Sequence, residues 1–194
     1  VVSLRDLIRI KSIVPIPPEF LGYIIRKVKT SSGLLPYENS SIQVRKIDPR
    51  SLVVGQKFLY REKIRDLLEN FPDIFKEFLG YGSGLGEINA YFVFGFNKDN
   101  KYVMAYYLPP IIEINGPDFI ALDGSHRNFI LRQTGSMALS IIIKNIVVPF
   151  PCDTRDISEL EIIDIEDRPK DISGRYLNLK PELFRNFKHL GIDG

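Results

Sequence analysis

Two pairs of short segments, each joined by a polar turn sequence, place the strongest constraint on the fold of this chain. Residues 90–96 and 101–107 are rich in aromatic and β-branched residues and flank the sequence Asn-Lys-Asp-Asn. Residues 111–114 and 119–122 have a similar composition and flank Asn-Gly-Pro. Segments of this kind around such turns are typical of β-hairpins. The sequence therefore predicts a fold that contains two antiparallel hairpins.

Helices and further strands are predicted around these hairpins from the spacing of apolar residues. The predicted helices are residues 4–8, 17–28, 61–79 (interrupted at Pro72), 128–133 and 181–189. The further predicted strands are residues 42–47, which end before Asp48-Pro49, and residues 140–147. Helices and short strands are thus mixed along the chain, and the pattern predicts an α+β fold with a small mixed sheet and flanking helices.

A segment rich in Ser, Gly, Pro and Asn at residues 31–40 interrupts the periodic pattern and is typical of a linker. It divides the chain into three predicted regions. These are a helical N-terminal extension with its linker at residues 1–40, a core at residues 41–150 and a C-terminal appendage at residues 151–194.

Composition excludes several classes of protein. The 26 basic and 24 acidic residues give a net charge of only +2, which offers no whole-chain attraction to nucleic acid or acidic membranes. The single cysteine, Cys152, cannot form an intrachain disulfide, and with two histidines it cannot build a structural zinc cluster. No apolar run approaches the ~20 residues that a membrane span requires. We therefore expect a cytoplasmic protein with no membrane partner.

Residues 123–127, Asp-Gly-Ser-His-Arg, carry the most specific chemistry of the sequence. A predicted strand leads into a glycine turn, and the turn opens a helix whose free N–H groups favour a phosphate. Ser125 adds a hydroxyl donor, and His126 and Arg127 add further donors, the arginine with a permanent charge. The pattern predicts a phosphate-binding cradle. The alternative is that Asp123 and Ser125 cap the helix while Arg127 is solvated.

The order of elements around this motif resembles the ParB/sulfiredoxin-like domain family. In that family a Pro-Pro-Ile strand, here at residues 109–111, is followed by a turn, a strand and an (Asp/Gly)-Gly-x-His-Arg helix start. A short helix, a glycine and a closing strand come next, as they do here. Residues 42–47 and 61–71 are similar to the family's opening strand and helix, so the resemblance spans residues 41–150.

This resemblance implies that the chain binds ATP or another nucleoside triphosphate, with Mg²⁺, for phosphoryl transfer or hydrolysis. The implied cofactor-binding residues are Gly124, Ser125, His126 and Arg127. We expect Ser125, His126 and Arg127 to stabilise charge on the transferred group, and Asp123 to hold Mg²⁺ or orient the nucleophile. Glu62 is the second candidate for a catalytic carboxylate, because residues 52–57, which correspond to the family's glutamate position, contain no acid.

Two other functions stay open from the sequence. A ParB-like nuclease would use the same cradle for a nucleic-acid phosphodiester and would bind DNA through a local basic stripe. The stripe consists of Arg45, Lys46, Arg50, Lys57, Arg61 and Lys63. A nucleotide-gated binding protein would use the cradle without turnover. Sulfiredoxin chemistry is disfavoured, because Ser125 stands where those enzymes have cysteine and Cys152 is expected to pack away from the cradle.

Other patterns are less specific. Alternating glycines at residues 80–86 invite comparison with a phosphate loop but lack its Gly-Lys-(Ser/Thr) ending. Glu87 and Glu113 are further candidates for Mg²⁺ ligands or bases, although such carboxylates are more often solvated. The aromatic residues of the hairpin at residues 90–107 can either stack nucleobases or pack one face into a core.

Overall fold

The computed structural model describes residues 1–69 and 84–192 and shows an α+β protein. The helices in this part of the chain are α1 (Pro18–Arg26), α2 (Arg61–Glu69) and α3 (Ser125–Gln133). The strands are β1 (Leu7–Pro15), β2 (Lys29–Thr30), β3 (Ser41–Ile47), β4 (Leu52–Val54), β5 (Phe58–Tyr60), β6 (Tyr91–Asn97), β7 (Tyr102–Tyr107), β8 (Ile111–Asn115), β9 (Asp118–Asp123), β10 (Ala138–Lys144), β11 (Arg155–Asp156), β12 (Glu161–Ile163) and β13 (Arg185–Asn186). Both predicted hairpins are confirmed as β6–β7 and β8–β9.

The largest sheet has six strands in the order β11-β4-β9-β8-β10-β3. It is mixed, because β10 pairs with β8 and β4 pairs with β9 in parallel, whereas the other neighbours are antiparallel. The strands predicted at residues 42–47 and 140–147 are confirmed as β3 and β10. Ile111, Ile112, Ile141 and Ile142 are completely buried, and successive residues point to opposite faces. The core therefore covers both faces of this sheet.

The helix predicted at residues 4–8 is wrong. After a short 3₁₀ turn at Leu4–Asp6, the chain enters β1, which pairs antiparallel with β6 and forms a three-stranded sheet in the order β1-β6-β7. The β6–β7 hairpin leaves an edge of unpaired backbone groups, and the isoleucine-rich sequence of β1 supplies the missing strand. The second predicted helix is confirmed as α1, which begins at Pro18 and buries Leu21, Ile24 and Ile25.

The last helix, predicted at residues 181–189, is also wrong. Two 3₁₀ turns, Pro181–Leu183 and Lys188–Leu190, lie on either side of β13, which pairs with β2. The buried side chain of Arg185 forms hydrogen bonds to groups far away in sequence, and these contacts override the local helix propensity. Strand pairs β12–β5 and β11–β4 join the same C-terminal segment to the rest of the molecule.

The helix predicted at residues 61–79 is confirmed in its first half as α2, and residues 70–79 lie outside the described part of the chain. The predicted helix at 128–133 is confirmed as α3, which begins three residues earlier than expected. None of the helices in the described part of the chain is long and apolar enough to cross a membrane.

Candidate functional site

The turn between β9 and α3 has a backbone geometry that requires glycine. Gly124 has a φ of +81°, and a Cβ atom at this position would lie 2.8 Å from the Cβ of Pro110. No side chain caps the helix at Gly124, and the first intrahelical bond joins the Asn128 N–H to the Gly124 carbonyl at 2.9 Å. The capping alternative is therefore wrong, and the partial positive charge at the helix start is not offset by a side-chain cap.

Ser125 is buried at the start of α3 without a hydrogen-bond partner for its hydroxyl. Ser125 is 3% exposed, and its Oγ has no hydrogen-bond partner among the residues that the structure describes. Asn128, one turn along the helix, is completely buried, and neither atom of its amide has a partner. A buried polar group without a partner costs about 1–3 kcal/mol, so such groups point to a ligand or an ordered water. The motif at residues 123–127 identifies Ser125 as a candidate site residue, but it does not include Asn128.

A cavity of about 410 Å³, here called the cradle cavity, opens beside the start of α3. One part of its wall is formed by residues 121–126, a second part by β5 and its neighbours, and a third part by residues of the C-terminal segment. Its basic lining residues are Lys63, Arg168, Arg175, Arg185 and Lys188. Its aromatic lining residues are Phe58, Tyr60, Phe150, Tyr176, Phe184 and Phe187. Of the described residues that line it, Asp123 is the only acid.

A second cavity of about 490 Å³, here called the N-terminal cavity, is also lined by this turn. Its lining includes Arg5, Tyr106 and Arg127. The two cavities share Asp123, Gly124 and His126, together with Lys63 and Ile192. The turn therefore borders both cavities.

His126 is held as a neutral imidazole. Its Nε2 accepts a hydrogen bond from the backbone N–H of Tyr60 at 2.9 Å, which places the proton on Nδ1. The ring also stacks on that of Tyr60, with 5.7 Å between the centroids. Burial, with the nearby charges of Lys63 and Arg5, lowers the pKa of His126 to about 3. His126 can donate from Nδ1, but its Nε2 is not available as a base.

Arg127 is buried rather than solvated. Its Nη1 donates to the hydroxyl of Tyr107 at 2.9 Å and to the carbonyl of Leu108 at 2.8 Å. Its Nη2 lies 3.4 Å from a carboxylate oxygen of Asp123. Arg127 lines the N-terminal cavity and connects α3 to β7 through these hydrogen bonds. It therefore stabilises the fold around the site and also supplies a positive charge there.

These contacts set the expected effect of removing Arg127. Arg127→Ala should lower the free energy of unfolding by about 2 kcal/mol, because it leaves a buried carbonyl and hydroxyl without their donor. Arg50→Ala is the matched control, since Arg50 pairs with Asp48 on the surface and its loss should leave the unfolding midpoint nearly unchanged. Urea denaturation measures both. An unchanged unfolding midpoint for Arg127→Ala would contradict the structural role.

The other candidate carboxylates do not join the cradle. The carboxylate of Glu62 accepts a hydrogen bond from the backbone N–H of Ile165 at 2.9 Å, and Glu62 lines neither cavity. Glu87 forms an exposed ion pair with Lys46 at 3.0 Å. Glu113 is completely buried against Arg185, and burial raises the pKa of its carboxyl although the guanidinium opposes that shift. Of these carboxylates, only Asp123 lies at the helix start.

The basic stripe is partly neutralised. Three of its six members, Lys46, Arg50 and Arg61, pair with carboxylates, the last of them with Asp164 at 2.7 Å. The guanidinium of Arg45 lies over the ring of Phe119. These contacts reduce the charge that the stripe can offer to DNA.

The structure places Cys152 closer to the predicted site than the sequence indicated. Cys152 lines the cradle cavity together with Asp123 and Ser125, so the expectation that it packs away from the cradle is wrong. Its Sγ lies against Gly55, which leaves no room for a side chain there. Burial raises the pKa of the thiol to about 12, so Cys152 is protonated at neutral pH.

Of the alternating glycines, Gly80 and Gly82 lie outside the described residues, and Gly84 and Gly86 line neither cavity.

The sequence pattern does not predict the C-terminal part of the wall of the cradle cavity, because residues 151–194 are rich in acidic residues and carry no motif. The basic–aromatic pair Arg175-Tyr176 is the feature of that segment that could have indicated a binding surface.

No cluster of three or more potential metal ligands occurs among the described residues. No family model, curated protein or solved structure matches the chain.

Proposed function

We propose that the chain binds a nucleoside triphosphate in the cradle cavity, with the phosphates at the start of α3 and the base among the aromatic side chains. The observation that carries this proposal is the buried, unpartnered Oγ of Ser125 beside an uncapped helix start. A phosphate oxygen would accept from this hydroxyl and from the free N–H groups of the first turn. The resemblance of residues 41–150 to the ParB/sulfiredoxin-like family supports the same ligand class.

The lining of the cavity suits an anion with an aromatic part. Arg175 donates to the carbonyls of Pro169 and Lys170, contacts that leave its charge intact. Tyr176 and Phe184 meet edge to face at 5.2 Å and offer an apolar surface for a base. The volume of about 410 Å³ lies within the usual range for small-molecule sites, roughly 300–1,000 Å³.

The proposed reaction is phosphoryl transfer or hydrolysis. Asp123 and the phosphate oxygens would hold Mg²⁺, since Mg²⁺ takes few protein ligands and prefers carboxylate and phosphate oxygens. Mg²⁺ would supply neutralisation of charge on the phosphates. Ser125 would donate to the transferred group, His126 would donate from Nδ1, and Arg127 would hold the Asp123 carboxylate in place.

A second candidate is nucleotide binding without turnover. This candidate is favoured by the contacts of Asp123 and His126, the two candidate catalytic residues. The carboxylate of Asp123 pairs with Arg127, and Nε2 of His126 accepts a hydrogen bond from the backbone N–H of Tyr60. Neither group is then positioned to take a proton from a nucleophile. The nuclease alternative has less support, since half of the basic stripe is paired with carboxylates.

Calorimetric titration with ATP, ADP, CTP and GTP, each with Mg²⁺, tests the proposal. Ser125→Ala should weaken binding about tenfold or more, the scale of a hydrogen bond to a charged group. It should not destabilise the free protein, because Oγ has no partner to lose. Ser51→Ala is the control, as its exposed hydroxyl lies outside both cavities. Phosphate release, with and without DNA, separates turnover from binding alone and from nuclease function.

Cys152 provides an independent reporter, because it is the only cysteine and lines the same cavity. Its alkylation is slow, because the thiol is protonated at neutral pH, so the reaction is followed over hours, and saturating nucleotide should slow it further. Cys152→Ser should keep the nucleotide affinity within about twofold, under roughly 0.5 kcal/mol. Binding that leaves the alkylation rate unchanged and is insensitive to Ser125→Ala would place the nucleotide elsewhere.

A further inference from the structure

The three-stranded sheet β1-β6-β7 has one face that packs inward and one that carries a continuous set of aromatic rings. Val93, Ala105 and Tyr107 are buried on the inner face, with Ile10 and Ile13 of β1 packed nearby. On the opposite face, residues of β6 and β7 lie directly across from one another. These pairs are Phe92 with Tyr106, Phe94 with Met104, and Phe96 with Tyr102.

Rings from α1 extend this outer face. Each ring in the row has its centroid within 6.4 Å of the next. The row consists of Tyr23, Phe20, Phe92, Phe94, Tyr102 and Phe96, with Tyr106 beside Phe92. We call this row the aromatic face. Tyr23 and Tyr102 are 52% and 59% exposed, so the face is open to solvent near both ends. Phe20, Phe92 and Tyr106 are partly buried against the hydrophobic core around α1, so a base would stack on the exposed rings near the ends of the row.

A cation lies over each end of the aromatic face. The guanidinium carbon of Arg9 lies 4.5 Å from the centre of the Phe96 ring, and Nζ of Lys27 lies 4.1 Å from that of Tyr23. Strand β1, helix α1 with the following Lys27, and the β6–β7 hairpin with its turn carry six basic residues and two acidic ones. The basic residues are Arg9, Lys11, Arg26, Lys27, Lys98 and Lys101, and the acidic ones are Glu19 and Asp99. Since the chain has 26 basic and 24 acidic residues, the rest of the chain is net negative.

We propose that the aromatic face binds single-stranded nucleic acid. Aromatic rings in a row stack unpaired bases without strong sequence preference, and flanking cations neutralise the phosphates. Duplex nucleic acid keeps its base faces covered, and an acidic protein would satisfy the charges but not the ring faces. The aromatic face is separate from the cradle cavity, because none of its residues lines that cavity, and only Tyr106 lines the N-terminal cavity.

Fluorescence anisotropy with labelled oligothymidylate and oligouridylate at low salt tests this inference. Tyr102→Ala should weaken binding about fivefold or more, whereas Tyr102→Phe should keep most of the affinity. Val147→Ala, which changes an exposed apolar residue outside the face, is the matched control and should have no effect. Arg9→Gln with Lys101→Gln should reduce the salt dependence of binding. Ser125→Ala should bind the oligonucleotide as the wild type does.

Three results would overturn the proposal. The first is failure of the wild type to bind either oligonucleotide at low salt. The second is equal affinity for a duplex, with no loss in Tyr102→Ala. The third is loss of self-association in Tyr102→Ala during sedimentation while oligonucleotide binding persists, which would make the face a contact between copies of the chain. Circular dichroism of Tyr102→Ala confirms that its fold is intact, and the exposure of Tyr102 makes this the expected result.

Discussion

Arg185→Ala is expected to lower the free energy of unfolding by about 3–5 kcal/mol, because it leaves the buried carboxylate of Glu113 without its counter-ion. The side chains of Arg185 and Glu113 are only 2% and 0% exposed, and Nη2 of the arginine lies 2.9 Å from a carboxylate oxygen. Tyr37, also buried, donates its hydroxyl to the same carboxylate at 2.9 Å. Urea denaturation with an unchanged slope measures the loss.

Arg185 also joins separate parts of the backbone. Its guanidinium makes five hydrogen bonds, two of them to Glu113. The others are to the carbonyls of Val148, Pro149 and Leu183. Arg185→Lys should recover part of the stability, since an ammonium cannot reproduce the planar set of donors.

A double-mutant cycle separates the ion pair from the carbonyl contacts. Arg185→Met combined with Glu113→Met should cost less than the sum of the two single changes, because the unpaired charge is absent from the double variant. A loss below about 1 kcal/mol for Arg185→Ala would show that the pair is not a major source of stability.

Acidification from about pH 6.5 towards pH 3 is expected to destabilise the protein by roughly 3–5 kcal/mol through His126 alone. In the unfolded chain an imidazole takes up a proton near pH 6.5, whereas burial holds the pKa of His126 in the folded protein at about 3. Between these values the unfolded state binds more protons, so stability rises with pH. The contribution is fully present above pH 6.5 and is lost as the pH falls through the window.

His126→Gln isolates this effect, because the amide oxygen of glutamine can accept from Tyr60 N–H without titrating. The stability difference between wild type and His126→Gln should shift in favour of the variant as the pH falls from 7 to 4. Ser51→Ala, which removes no titratable group, should keep the acid dependence of the wild type. Parallel curves for wild type and His126→Gln would contradict the buried, neutral state of His126.

The parts of the fold that were predicted correctly depend on neighbours in sequence. The β6–β7 and β8–β9 hairpins follow from turn chemistry and from the composition of adjacent segments. The apolar spacing around β1 and β13 predicts helices, but both are strands whose partners, β6 and β2, lie far away along the chain. The apolar spacing of a short segment cannot show that an unpaired strand edge, distant in sequence, is available to pair with it.

The candidate site divides in the same way. Residues 123–127 were identified together because they are contiguous and open a helix. The sequence did not show that Arg127 turns away towards Tyr107 or that Nε2 of His126 accepts from Tyr60, since both depend on tertiary packing. The C-terminal wall of the cradle cavity was missed because its residues come from a segment with no local motif.

That wall has a consequence for protein synthesis. The cradle cavity takes one part of its wall from residues 121–126 and another part from residues 150–192, and β13 reaches its partner β2 across most of the chain. The ribosome makes the first of these parts well before the second. The complete cavity therefore forms only after the C-terminal segment has left the exit tunnel, so a nascent chain holds the motif at residues 123–127 before it has a compartment for a ligand.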